Sequence, residues 1–131
     1  MPGEVSNESG TPRIGVVLSS GGVRGVYAHT GFLQAMQRLR IPITASAGCS
    51  AGALVGGFIA SGTPLEDWAA TLAEMSSHSF WTPDSLPRFL WEMTAHRGRG
   101  YTGLSDTRAA LQFTRDNLAV NTFDECLYPF H

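Results

Sequence analysis

The stretch R-I-G-V-V-L-S-S-G-G-V-R-G, residues 13–25, decides the fold of this 131-residue chain. Its first six residues, Arg13 to Leu18, form a short apolar run with β-branched side chains, which is typical of a fully buried strand in a parallel sheet. The glycines that follow favour a tight loop. A helical stretch then extends to about Arg40, with apolar residues on one side at Leu33, Met36 and Leu39. The pattern predicts a strand, a loop and a helix in that order.

A second strand–turn–helix unit follows. Ile43 to Ala47 predicts a strand, and Gly48 opens a sharp turn into a helix of small residues that ends at Gly62. The alternation of strands with helices predicts an α/β fold with a parallel sheet.

Further helices are predicted after this unit. Thr63 is predicted to cap the N-terminus of the next helix, with Pro64 as its first residue. The Glu66 side chain is predicted to hydrogen-bond back to the cap residue. A final helix is predicted from Ser105 or Asp106 to about Asn117. The helix that begins at Pro64 carries an apolar stripe of Leu65, Trp68, Ala69 and Leu72.

The segment from Ser79 to Met93 is dense in aromatic and apolar residues and admits two interpretations. Its apolar side chains recur at helical spacing, which favours a helix that covers the core. Trp91 lies off that stripe, which favours a segment that lines an acyl groove or dips into a lipid surface. The stripe consists of Leu86, Phe89, Leu90 and Met93.

Composition excludes several classes of protein. Hydrophobic residues make up 43% of the chain and charged residues 15%, which excludes a disordered chain. The net charge of −2 argues against a nucleic-acid-binding surface. Two cysteines, Cys49 and Cys126, form neither a disulfide framework nor a zinc site. The neighbours of Cys49 predict that its thiol is buried and behaves as a small apolar group. Residues 1–12 read as a flexible leader without a signal-peptide pattern, and the longest apolar run is too short for a membrane span. We therefore expect a cytoplasmic protein without a transmembrane segment, a metal or a cofactor.

The sequence Gly48-Cys49-Ser50-Ala51-Gly52 matches G-x-S-x-G between a predicted strand and a predicted helix, the context of a nucleophile elbow. A side chain at Gly48 or Gly52 would clash in so tight a turn. Ser50 would project from its tip, beside the N-terminus of a helix that favours developing negative charge. The alternative is a glycine-rich turn with an incidental serine.

The loop Ser20-Gly21-Gly22-Val23-Arg24-Gly25 is the second candidate for chemistry. Successive glycines let backbone N–H groups point inward and bind an anion such as the oxyanion of an acyl-transfer intermediate. A nucleotide-phosphate loop is the rival interpretation, but Ser20 breaks the G-x-G-x-x-G fingerprint and a chain without lysine has no P-loop.

Together, L-S-S-G-G-V-R-G, A-H-T-G-F-L-Q-A-M and A-G-C-S-A-G-A-L-V-G-G resemble the patatin-like phospholipase family from about Arg13 onward. The resemblance implies a three-layer α/β fold and hydrolysis of lipid esters by a Ser–Asp dyad. Ser50 would be the nucleophile, the backbone amides of Gly21, Gly22 and Val23 would form the oxyanion hole, and Arg24 would brace the loop.

The chain departs from the family pattern at two places. Ser20 stands where the family has the first of three glycines, so a positive φ there would strain it. The family's catalytic aspartate lies in a D-G-[GA] motif, and this chain has no Asp-Gly pair. Its aspartates are Asp67, Asp84, Asp106, Asp116 and Asp124.

We therefore expect residues 13–131 to be the N-terminal portion of the family's domain, cut where its next strand begins at Tyr128 to His131. The whole protein would be a lipid acyl hydrolase in lipid breakdown, acting at a membrane or micelle surface, while the isolated chain would be nearly inactive. Two alternatives stay open: a non-catalytic lipid- or protein-binding fragment, and a nucleotide-binding module. His29 follows the glycine loop and is expected to pack rather than act as a base.

Overall fold

A computed structural model describes residues 12–75, 82–83, 85–97, 105–106 and 108–131. The predicted leader falls almost entirely on residues 1–11, which lie outside the described residues. In chain order the elements are β1 (Gly15–Leu18), α1 (Gly22–Arg38), β2 (Ala45–Gly48), α2 (Ala51–Ala60), α3 (Leu65–Glu74), β3 (Thr82–Pro83), α4 (Leu86–Ala95), β4 (Ser105–Asp106), α5 (Arg108–Asn117) and a 3₁₀ turn (Phe123–Glu125).

Strands β1 and β2 pair in parallel, with Gly15 opposite Ala45 and Leu18 opposite Gly48. This pairing confirms the predicted α/β class and the parallel sheet. The last residues of the chain add to the opposite edge of β2. There the Ser46 N–H donates to the Pro129 carbonyl at 2.9 Å, and the His131 N–H donates to the Ser46 carbonyl at 3.0 Å.

Helix α2 packs against both strands, and α1 and α3 pack around it to form one core with the sheet. Val16 and Leu18 of β1 point into the core, where they join side chains from each of the three helices. Val17, between them, is 82% exposed on the opposite face, so the prediction of a fully buried strand is wrong for this residue. The described residues thus form the sheet and one helical layer. The buried helix residues of the core cluster are Leu33, Met36, Val55, Phe58, Leu65 and Trp68.

Trp68 anchors α3 to α1 and α2 at the centre of the core. Its ring stacks on Phe58 with centroids 4.5 Å apart. Its indole N–H donates to the Thr30 hydroxyl at 2.9 Å, and that hydroxyl donates to the Val26 carbonyl at 2.8 Å. Stacking and a fully paired polar group let a large aromatic side chain be buried without an unpaired donor.

The start of α3 differs from its prediction. Pro64 directly precedes the helix, which has no side-chain cap. The Thr63 hydroxyl donates instead to the Asn117 carbonyl at 3.1 Å, and the Glu66 carboxylate accepts from the Gln37 amide on α1 at 2.9 Å. The predicted capping box is therefore wrong, because tertiary contacts take both side chains.

Two predicted apolar stripes are only partly correct. Leu39 follows the end of α1 and is exposed, whereas Leu33 and Met36 are buried as predicted. Helix α4 has no buried residue: Phe89 of its apolar stripe is half-buried, and the other three stripe residues and Trp91 are exposed. The interpretation of this segment as a cover for the core is therefore wrong for the described helix.

The short antiparallel pair of β3 and β4 was not predicted, and α5 begins at Arg108, two or three residues after the predicted start at Ser105 or Asp106. Among the described residues, no helix has the length and apolar character that crossing a bilayer requires.

Candidate active site

Ser50 lies in the turn between the end of β2 and the start of α2. Its backbone has φ 54° and ψ −116°. This is a conformation that a residue with a side chain adopts rarely and at a cost of about 1–3 kcal/mol. In the described parts of the chain, Ser50 shares a positive φ only with Arg40, Arg97 and two glycines. The turn therefore holds an exposed serine in a strained backbone at its apex.

Two glycines let this turn form, because it presses the first turn of α2 against the end of β1. A Cβ at Gly48 would lie 2.5 Å from the Gly52 carbonyl oxygen, and a Cβ at Gly52 would overlap the Leu18 carbonyl. The Cys49 N–H donates to that same Leu18 oxygen at 3.0 Å and ties the turn to β1.

The Ser50 hydroxyl is uncommitted within the described structure. Serine at a helix N-cap usually accepts a hydrogen bond from the first turn of its own helix. Ser50 occupies this position in α2 but makes no side-chain cap. An exposed hydroxyl that is not used in capping is free to meet a ligand.

The glycine loop connects β1 to α1. A Cβ at Gly21 would lie 2.7 Å from the Gly25 Cα, so the loop curls tightly onto the first turn of the helix. The positive φ of this loop, 55°, falls on Gly22 and not on Ser20. Serine at position 20 is therefore not strained, and the conditional expectation of strain there is not met.

Helix α1 begins without a side-chain cap. The first N–H groups of a helix have no partner within it, and they carry the positive end of its dipole. Those of Gly22, Val23 and Arg24 belong to exposed residues. Together with the backbone of Gly21, they offer donors to an anion from the protein's main chain.

The serine turn and the glycine loop are neighbours. Both leave the carboxyl ends of paired strands, because Leu18 and Gly48 are register partners. A Cβ on Gly25 would lie 3.1 Å from the Cβ of Ala51, the residue after Ser50. The arrangement thus places an exposed hydroxyl close to a set of main-chain donors.

His29 supports the loop from α1. Its Nε2 lies 2.7 Å from the Ser19 carbonyl oxygen, so this nitrogen donates a hydrogen bond to the backbone where β1 ends. This contact agrees with the packing role expected from the sequence. Its significance for the site could not be read from the sequence, since nothing in the pattern linked His29 to Ser19.

No carboxylate of the described residues hydrogen-bonds to Ser50. Asp67 is exposed in the first turn of α3, Asp116 accepts from Gln112 at 2.7 Å, and Asp124 lies in the 3₁₀ turn. Asp84 lies outside the described residues, and only the backbone of Asp106 is described. Within those same limits, the structure contains no group of three or more His, Cys, Asp or Glu side chains that could hold a metal ion.

Cys49, beside the serine, is exposed. The expectation from the sequence that its neighbours bury it is wrong, because the tight turn points residues 49 and 50 away from the core.

Comparison with known proteins agrees with this geometry. Residues 16–130 match the sequence profile of the family described as patatin-like phospholipase. The chain is 44% identical over 71 residues to lysophospholipase NTE1 of Cryptococcus neoformans, a match that covers 53% of this chain and 4% of that protein. It is 44% identical over 68 residues to an uncharacterized NTE family protein of Mycobacterium tuberculosis, covering 50% of this chain and 19% of the relative. A patatin-like phospholipase domain-containing protein of Caenorhabditis elegans is 38% identical over 90 residues, covering 69% of this chain and 6% of the relative. The chain therefore matches a small part of each of these relatives.

Proposed function

Because the chain belongs to the patatin-like phospholipase family, we propose that Ser50 is the nucleophile of a serine hydrolase that cleaves carboxylic esters of lipids. The observation that carries the proposal is the Ser50 backbone at φ 54° and ψ −116°, which keeps an uncapped hydroxyl exposed beside the glycine loop. Strained backbone conformations of this kind cluster at active sites and ligand-binding sites.

The proposed reaction proceeds in two steps. The Ser50 Oγ attacks the ester carbonyl carbon and passes its proton to a general base, and the carbonyl oxygen becomes an oxyanion. The alcohol leaves with a proton, which gives an acyl-serine. Water then attacks this ester, a fatty acid is released and Ser50 regains its proton.

The first amides of α1 are the proposed oxyanion hole. The N–H groups of Gly21, Gly22 and Val23 would donate to the oxyanion, and the dipole of α1 would favour its charge. Removal of one such donor typically costs about 3–4 kcal/mol of transition-state stabilisation. Arg24 is exposed next to these residues and is proposed to brace the loop.

The general base is proposed to be an aspartate outside this chain. This is supported by the absence of an Asp-Gly pair from the sequence and by the lack of a described carboxylate bonded to Ser50. Assistance by a base contributes about 10²–10⁴ in rate, so the 131-residue chain alone should be nearly inactive.

Fluorophosphonate labelling with peptide mass spectrometry tests the proposal. The label should appear on Ser50 and should be lost in Ser50→Ala, while Ser85→Ala, a change at the exposed start of α4, should leave it intact. A longer form of the protein that contains an Asp-Gly pair should be labelled about 10²–10⁴ faster than the present chain. Equal labelling of Ser50→Ala, or no labelling of the folded longer form, would refute the assignment.

The non-catalytic alternative gives a different pattern in the same experiment. A lipid-binding fragment would bind phospholipid vesicles equally well before and after Ser50→Ala, and neither form would be labelled at residue 50.

A further inference from the structure

His29 joins α1 to the backbone at the point where the glycine loop leaves β1. Its Nε2 donates to the Ser19 carbonyl at 2.7 Å, and the side chain is half-buried. A Cβ at Gly25, one helical turn before His29, would lie 3.7 Å from that Nε2 and 3.1 Å from the Cβ of Ala51. Because residues four apart share one side of a helix, the imidazole lies on the side of α1 that meets the serine turn.

The carbonyl groups at the start of the loop are held by different partners. The Leu18 carbonyl accepts from the Cys49 N–H at 3.0 Å, which ties the end of β1 to the serine turn. The Gly21 carbonyl accepts from the Gly25 N–H at 2.9 Å, which begins the helix. Between them, the Ser19 carbonyl is held by the imidazole. Of these three contacts, this is the one that a side-chain substitution can remove.

The bond to Ser19 fixes a whole peptide group, because the peptide bond is planar and trans and its C=O and N–H therefore point in opposite directions. Without the imidazole, this group could rotate and turn the Ser19 carbonyl oxygen toward the loop, where it would repel an oxyanion. The glycines that follow resist such a rotation least, since they adopt the widest range of backbone angles.

The same bond argues against His29 as the general base through Nε2. A carbonyl oxygen only accepts hydrogen bonds, so this nitrogen carries a hydrogen and cannot take the proton of Ser50. The side chain would therefore act through the loop and not on the substrate.

We propose that His29 is a positioning residue of the oxyanion hole. Its Nε2–H holds the Ser19 carbonyl and thereby fixes the main chain from which the glycine loop presents its N–H groups. The inference rests on the proposed function, since it names what orients the donors of that reaction.

Glutamine and methionine at position 29 separate the hydrogen bond from the bulk of the side chain. The Nε2 of glutamine is as many bonds from Cα as the Nε2 of histidine, so His29→Gln can keep the donor. Methionine is similar in length and also favours helices but has no such donor, so His29→Met removes the bond. His96→Met, just past the end of α4 and exposed, is the control for a histidine away from the site.

The first readout is the rate of fluorophosphonate labelling of Ser50 at several probe concentrations, in the 131-residue chain and in the longer form. We expect His29→Met to lower the maximal rate about 10–100-fold, less than the loss of about 10²–10³ on removal of an oxyanion donor. The half-saturating concentration should not change, because the donors act on the transition state. His29→Gln should stay within about threefold of the parent, and His96→Met should label like the parent.

The second readout does not depend on labelling. The backbone ¹H–¹⁵N resonances of Gly21, Gly22 and Val23 report the conformation of the loop. They should shift in His29→Met and return to the parent positions in His29→Gln. Urea denaturation shows whether each variant is folded. If the methionine variant does not fold, His29→Asn replaces it, because its amide is one bond shorter and does not reach the Ser19 carbonyl.

Parent-like labelling or unmoved loop resonances in His29→Met would overturn the inference. Labelling of His29→Gln as slow as that of His29→Met would also overturn it, since a general base at this position predicts that result. If Ser50 is labelled in no form of the protein while the loop resonances move and return as described, the proposed function alone is contradicted.

Discussion

Replacement of Ser50 by glycine should stabilise the fold while it abolishes the proposed chemistry. The Ser50 backbone has φ 54° and ψ −116°, a conformation that only glycine adopts without strain. Relief of that strain should raise the free energy of unfolding by about 1–3 kcal/mol. The greater conformational freedom of glycine in the unfolded chain should lower it by about 0.5–1 kcal/mol.

The net gain for Ser50→Gly is therefore centred on about 1 kcal/mol in the free energy of unfolding, within a range of about 0–2.5 kcal/mol. For a chain of this length, each kcal/mol raises Tm by about 3–6 °C. Ser50→Ala keeps the strain and removes a hydroxyl that makes no side-chain cap, so its stability should stay within about 0.5 kcal/mol of the parent.

The assay is urea denaturation followed by far-UV circular dichroism, together with fluorophosphonate labelling of each form. Arg40→Gly is the matched control. Arg40 also has a positive φ, 55°, and is exposed, but it lies just beyond α1 and away from the serine turn. Relief of its left-handed conformation is worth about 1–2 kcal/mol and the freedom of glycine in the unfolded chain costs about 0.5–1 kcal/mol, so Arg40→Gly should raise stability by about 0–1.5 kcal/mol without changing the labelling of Ser50. If Ser50→Gly is no more stable than Ser50→Ala, the turn is not strained, and its backbone no longer favours Ser50 as the nucleophile.

Two further predictions concern the contacts around the site. Gly52→Ala should destabilise the protein by about 2–3 kcal/mol or prevent folding, because its Cβ would overlap the Leu18 carbonyl. Gly31→Ala, in a helix position with no atom within 4 Å of the added Cβ, should stabilise it by about 0.5–1 kcal/mol in the same urea titration. If both substitutions have equal effects, the close approach is not real. His29 should carry its proton on Nε2 when its ring is neutral, because the Ser19 carbonyl oxygen that it contacts can only accept a hydrogen bond. Imidazole ¹⁵N chemical shifts measure this, and a neutral Nδ1–H form would contradict it.

The central strand and helices could be predicted because their buried positions carry apolar residues at regular spacing. The apolar run before the glycine loop became β1, and Leu65, Trp68 and Leu72 of α3 are buried as their spacing indicated. The serine turn could be located for a related reason. A strand, two flanking glycines and a helix of small residues leave little choice of geometry.

The wrong predictions concern side chains whose environment depends on segments that are distant in the sequence. Thr63 has the right identity for a cap, but the Asn117 carbonyl, 54 residues away, takes its hydroxyl. Cys49 is flanked by small and apolar residues that suggested burial, yet the backbone of Ser50 turns that part of the chain outward. Helix α4 shows the converse: its apolar stripe follows the helical spacing, but none of its residues is buried. Periodicity records which face of a helix is apolar and carries no information on what meets that face.

The register between β1 and β2 makes the spacing of the two loops a property of the main chain. With Leu18 opposite Gly48, the backbone ladder sets how far the donors stand from the hydroxyl, whatever side chains the strands carry. Losing or gaining a single residue in either strand would displace its loop by about 3.3 Å and turn each following side chain to the other face. Such a shift is as long as a hydrogen bond, so the site tolerates changes in the composition of its strands far better than changes in their length.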